Sequence, residues 1–187
     1  MNLQEWFEKG LTPEEYINNM SKHKENLLYV LKNFHLSSEE ASLIHKVKEA
    51  NWRVIVLTED WCGDAMVNIP ILLAMTKAAD MDVRMLHRDE NLELMDQYLT
   101  NGTSRAIPIF IFIDEEGTEQ AVWGPRAPAV QEMVTQYRSS LPPRDHEDFE
   151  KKSRDMIEAL TETYRTDEAI WQEIYRSLKT TLAERLY

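Results

Sequence analysis

LTEDWCGDAM, residues Leu57 to Met66, holds the one cysteine in a chain of 187 residues. On its N-terminal side, Trp52-Arg53-Val54-Ile55-Val56-Leu57 is short, apolar and β-branched, the pattern of a strand buried on both faces. On its C-terminal side, from Gly63 to about Ala79, residues Met66, Ile69, Leu73 and Met75 punctuate a helical pattern. Pro70 falls inside it, a position that kinks a helix. Cys62 therefore stands where a buried strand ends and a helix begins. Unpaired N–H groups and the macrodipole stabilise a thiolate at such a helix tip. The end of a parallel strand is also where α/β sheets place their ligands. A lone cysteine elsewhere reads as a small apolar core residue; here it reads as a candidate nucleophile.

Working outward, Val83 to His87 is a second strand, and Asn91 to Leu99 an amphipathic helix built on Leu92, Leu94, Met95, Tyr98 and Leu99. After Asn101-Gly102, the run Ile107-Pro108-Ile109-Phe110-Ile111-Phe112-Ile113 is the most β-prone in the chain. Asp114 to Gly117 signals a turn, and Thr118 to Trp123 pairs as the second strand of a hairpin. Ala127 to Leu141 closes the unit with a helix. Strand–helix alternation implies βαβ crossovers with parallel pairing, and the hairpin adds an antiparallel edge.

The first fifty residues read as helices. Thr12-Pro13-Glu14-Glu15 is a capping box with proline at the first helical position, and Ser37-Ser38-Glu39-Glu40 is a second such start. Pro142-Pro143 breaks the chain, and residues 146–187 carry two more helical patterns, the second on Trp171, Ile174, Leu178, Leu182 and Leu186. These tail aromatics are expected to pack on the core, with a homodimer seam along the C-terminal helices as the alternative. The expected organisation is an N-terminal helical extension (1–49), a central α/β unit (50–141) and a C-terminal helical extension (142–187), forming one compact unit.

Composition narrows the function. A formal charge of −12 sets the chain's field against nucleic acid. No apolar run reaches the length of a bilayer span, and the first residues lack a secretory pattern. One cysteine allows no internal disulfide, which together suggests a cytoplasmic protein. The five histidines are scattered, so no metal site or cofactor is expected.

Trp61-Cys62-Gly63 after a buried strand, with Pro70 beyond, resembles the active-site helix of thioredoxins. Ile107-Pro108 opening an apolar strand, Arg105 shortly before it, Gly117 in the hairpin, Gly124 after it, and Asp89-Glu90-Asn91 with Tyr98 fit the same family in order. The resemblance spans residues 50–141. It implies a thioredoxin-like α/β fold, a central mixed sheet flanked by helices, with additional N- and C-terminal helices here. It also implies roles: Cys62 as an exposed nucleophile, Trp61 flanking a substrate groove with Gly63, Asp64 and Arg105, and a cis bond at Pro108 that presents the Ile107 backbone to a substrate strand. Without the resemblance, Ile107-Pro108 reads as a trans proline at a strand start.

The departures bear on mechanism. Ala65 stands where thioredoxins carry the resolving cysteine, Asp64 where they carry proline, and Val56 where they carry a buried aspartate. A mixed disulfide on Cys62 therefore has no internal thiol to resolve it. The expected activity is monothiol thiol–disulfide exchange, acting on a protein disulfide or with a low-molecular-weight thiol; the alternative is a catalytically silent binding module. Peroxidase chemistry would need a polar donor, for which Thr58 is the one candidate. Glu59, Asp60 and Asp64 raise a nearby thiol's pKa while the helix tip lowers it. Asp64 reads as a helix-stabilising charge, Asp60 as a candidate proton shuttle, and Arg105, Arg126 or the weaker Arg88 as what would admit an anionic thiol.

Overall fold

β1 (Arg53–Thr58) buries Val54, Ile55, Val56 and Leu57, because it is flanked by strands on both edges and covered on both faces. The computed structural model describes residues 2–37 and 41–187. The second capping box therefore lies outside the described residues at Ser38, Glu39 and Glu40. β1 pairs in parallel with β2 (Val83–His87) and antiparallel with β3 (Ile109–Ile113). β3 pairs antiparallel with β4 (Glu119–Trp123), giving the order β2-β1-β3-β4. The result is a mixed four-stranded sheet with flanking helices.

The pairing of β3 corrects the sequence reading, which carried parallel pairing through both crossovers. The segment expected as a helix from Asn91 to Leu99 is helical only over Leu92–Met95. Such a turn advances about 6 Å, against about 16 Å for a five-residue strand, so it cannot carry the chain back along the sheet. The helix stops because the backbone tightens: Gln97 and Tyr98 donate to Leu94 and Met95, three residues back. Tyr98 then turns its hydroxyl to Glu119 of β4, 2.7 Å away. The chain consequently enters β3 from the end at which β1 finishes.

Nine helices surround this sheet among the described residues. α1 (Leu3–Lys9) lies against β1 and β2, and α2 (Pro13–Asn19) against β2. The capping box of α2 is formed: Thr12 Oγ1 accepts from Glu15 N, and Glu15 Oε2 accepts from Thr12 N. Between α1 and α2, Leu11 exchanges both backbone hydrogen bonds with Met85, which covers the outer edge of β2. α3 (Lys24–Asn33) packs on α5 (Gly63–Ala78), while α4 (Ala41–Glu49) packs on α9 (Glu168–Leu186). α6 is the short Leu92–Met95 turn.

α5 is apolar nearly all round and correspondingly buried, held by α3, α8 (Phe149–Thr166) and α9. α7 (Pro128–Ser139) packs on α8 and α9. Three tail aromatics turn inward: Tyr164, Trp171 and Tyr175 are buried in the chain's own core, while Tyr187 at the end is exposed, and Trp123 of β4 donates to Ser177 of α9. Among the described residues no helix is long and apolar enough to cross a membrane.

Two chain segments meet beneath the site. The Ile107–Pro108 and Gly124–Pro125 peptide bonds are both cis. Gly124 has φ +129°, and a Cβ there would lie 2.2 Å from the Pro108 carbonyl oxygen. Only glycine permits that dihedral and that approach. Gly124→Ala should lower the unfolding free energy by about 3 kcal/mol in chemical denaturation; a variant as stable as the parent would mean that the two backbones separate freely.

Candidate functional site

Cys62 caps α5: its backbone is extended, its carbonyl accepts the first helical bond from Met66, and its own N–H closes a turn onto Glu59 O. This follows from the sequence order, a buried strand running into a helix through a short polar turn. The thiol Sγ–H donates to the carbonyl oxygen of Ile107 at 3.4 Å, bringing together the helix tip and the residue before the cis proline. Trp61 projects beside it, 44% exposed, with the Arg88 guanidinium stacked 5.0 Å from its ring centroid. Gly63 begins the helix, where the space above it is open.

Cys62 itself is only 8% exposed, so the exposed nucleophile implied by the resemblance is instead a nearly covered one. Burial pushes its thiol up to about 11, and the Asp64 carboxylate adds to the shift. The backbone N–H groups of Ala65 and Asp64 and the charge of Arg126 act in the opposite sense without cancelling it. The helix tip is thus aimed at the sulfur, but burial outweighs it. At rest the group is a thiol.

Asp64 does more than charge the first turn of α5. Its two oxygens accept from Arg126 Nε at 2.7 Å and Nη2 at 2.5 Å, a bidentate pair almost out of solvent. The Tyr164 hydroxyl, from α8, donates to Asp64 Oδ1 at 2.7 Å. Burial and the neighbouring Asp64 charge push the Tyr164 phenol far up, so it remains a donor. This knot joins α5, the β4–α7 connection and α8 directly beside Cys62.

The remaining candidates are placed elsewhere. Asp60 accepts from Ser21 N, Ser21 Oγ and Lys22 N. Burial raises its pKa, but these donors outweigh that and hold it below its ordinary value, so it ties down the entry to α3. Arg105 forms a bidentate pair with Asp96 and does not turn to the sulfur. Arg88 is held by Asp89 and by the Arg105 carbonyl. Thr58 is fully buried against the Tyr16 hydroxyl. Val56 is fully buried between Met85 and Phe110, an apolar site where a buried acid was the family alternative.

Sequence reasoning missed two partners. Tyr164 lies one hundred residues from Asp64, and no spacing in the sequence marks the pair. Glu59 is buried and accepts from Asp89 N at 2.9 Å, with His87 Nδ1 3.3 Å from its other oxygen. The signal for the second was present: a glutamate at the end of β1 and a histidine at the end of β2 fall side by side once those strands are paired in parallel.

A family model described as Thioredoxin matches residues 10–138. Comparison with curated proteins gave no match. Among solved structures, a protein of unknown function from Pseudomonas aeruginosa aligns with a TM-score of 0.61 at 17% identity, over 88% of this chain and 95% of that one. An HIV 4E10 epitope scaffold aligns with a TM-score of 0.59 at 18% identity, over 87% and 98%. These two likenesses show the fold.

Replacing Asp64 tests the electrostatics of the knot. Asp64→Asn keeps a partner for Tyr164, removes the charge beside the sulfur and leaves Arg126 without its carboxylate. The Cys62 pKa should fall and its alkylation at pH 8 should accelerate several-fold. Stability should drop by about 3 kcal/mol, the scale for breaking a buried ion pair. An unchanged alkylation rate would remove Asp64 from the account of the thiol.

Proposed function

The chain belongs to the thioredoxin family, and from that premise we propose that Cys62 is a monothiol exchange centre. The observation that carries this reading is the meeting of three features at one sulfur: the N–H groups at the tip of α5, the Ile107 carbonyl 3.4 Å away, and the exposed Trp61 beside it. A passive core cysteine has no need of that arrangement.

In this reading a substrate disulfide lies along Ile107 and Pro108, using the Ile107 backbone, with Trp61 and Gly63 flanking the sulfur. Arg105, held by Asp96, and Asp64, held by Arg126, do not reach the substrate strand. The Cys62 proton leaves, the thiolate is received by the N–H groups of Asp64 and Ala65, and the sulfur attacks the disulfide. A bond forms between Cys62 and the substrate, and the substrate's second thiolate departs. Ala65 offers no sulfur to attack this mixed disulfide and expel the substrate, so a thiol from outside completes the cycle. Such chemistry suits a reducing compartment, in keeping with a cytoplasmic protein. Residues 1–49 and 142–187 serve as helical extensions of one compact unit around the 50–141 core.

The raised Cys62 pKa favours a second reading, a catalytically silent binding module. The two differ in one product. Incubated with a disulfide-bonded peptide, the exchange centre yields a covalent adduct on intact mass that is absent in Cys62→Ser and persists until a small thiol is added. Ala65→Cys should release that adduct with no added thiol. Failure of the folded protein to form any adduct would leave the binding module.

A further inference from the structure

Beside Cys62, away from Ile107, a cleft of about 810 Å³ opens between the N-terminus of α5, α7 and α8. Trp61 and Cys62 line it together with Leu141, Phe149, Met156 and Leu160. This volume suits a small molecule. Neither Ile107 nor Pro108 lines it, so the cleft is distinct from the Ile107 backbone that a substrate strand would use in the reading above, while Cys62 contacts both.

The charge of the cleft runs against the charge of the chain. The protein as a whole carries −12, yet the cleft is lined by three arginines, Arg126, Arg138 and Arg144, and a single carboxylate, Asp64. Arg126 is spent on that carboxylate. Arg138 and Arg144 form no ion pair among the described residues, and both are exposed at the cleft. Two free guanidiniums over an apolar floor, next to a thiol, complement an organic molecule that bears carboxylates and delivers sulfur.

We infer that this cleft binds the resolving co-substrate of the exchange reaction, an anionic low-molecular-weight thiol held by Arg138 and Arg144 and presented to Cys62 from the α7–α8 side. The inference rests on the monothiol reading above and gives its outside thiol a place and a chemical class. After Cys62 has formed its disulfide with the substrate, the small thiolate attacks the Cys62 sulfur. It bonds there and expels the substrate's remaining thiolate, which takes up a proton. A second molecule of the same thiol, as its thiolate, attacks the bound sulfur of the first. This yields the small-molecule disulfide and frees the Cys62 thiolate, which is reprotonated. Per cycle, one substrate disulfide and two small thiols become two substrate thiols and one small disulfide.

The test times adduct formation at Cys62, by intact mass, with oxidised glutathione (anionic), bis(2-hydroxyethyl) disulfide (neutral) and cystamine (cationic). Each rate is divided by that of an unstructured cysteine peptide, which removes intrinsic reagent reactivity. Oxidised glutathione should be favoured over cystamine on the order of tenfold, the scale of local electrostatic steering. The Arg138→Ala/Arg144→Ala double variant should bring the ratio close to one, and Arg138→Lys/Arg144→Lys should keep most of it. A normal reaction with the neutral reagent but no anionic preference, or a preference that survives the double alanine variant, overturns the cleft assignment alone. No adduct with any reagent in the folded protein overturns the exchange reading as well.

Discussion

The Asp64–Arg126 pair, with the Tyr164 hydroxyl on the same carboxylate, is the contact on which the rest of the site depends. It pins the first turn of α5 to the segment leaving β4 and to a helix from the C-terminal extension. Because the pair is nearly removed from water, neither member can be left alone without a large penalty. It also sets the field at the neighbouring sulfur. The carboxylate opposes ionisation of Cys62, the guanidinium favours it, and the balance goes to the neutral thiol because burial acts in the same direction as the carboxylate.

Around that knot the geometry is tight. Gly124 lies against the Pro108 carbonyl, Cys62 donates to Ile107, and Val56 is fully buried in β1 between Met85 and Phe110. Burial of the capped thiol, with the Asp64 charge beside it, explains how a helix tip can be aimed at a sulfur without ionising it. The additional helices take part in this arrangement. α3 is tied to the Asp60 loop just before the cysteine, and α8 supplies Tyr164.

Much of this was legible in the sequence, for identifiable reasons. β1, α5 and the β3–β4 hairpin were readable because β1, α5 and β3 are strongly apolar runs with clear punctuation at their ends, and the strand-to-helix junction located Cys62. Where the chain lacked such punctuation the reading erred: Asn91 to Leu99 looked continuously helical, yet it tightens after one turn and reverses β3. Side-chain pairings over long separations were not legible. Nothing in the spacing of Asp64, Arg126 and Tyr164 announces their meeting, so Asp64 read as a helix charge and Cys62 as exposed. Arg105 and Asp60 looked free because their partners, Asp96 and the Ser21–Lys22 backbone, come from turns without a periodic signal.

The central claim is that Cys62 is a thiol which reacts from the folded state but is held protonated by burial and Asp64. Its alkylation rate against pH, followed by intact mass under native conditions, tests this most directly, since the chain has no other thiol to label. The account predicts labelling of the folded protein with a rate that climbs about tenfold per pH unit from neutral pH and levels near pH 11, beyond the ~8.5 of a free cysteine. Labelling that occurs only as the protein unfolds, or a midpoint at or below that of a free cysteine, would contradict it.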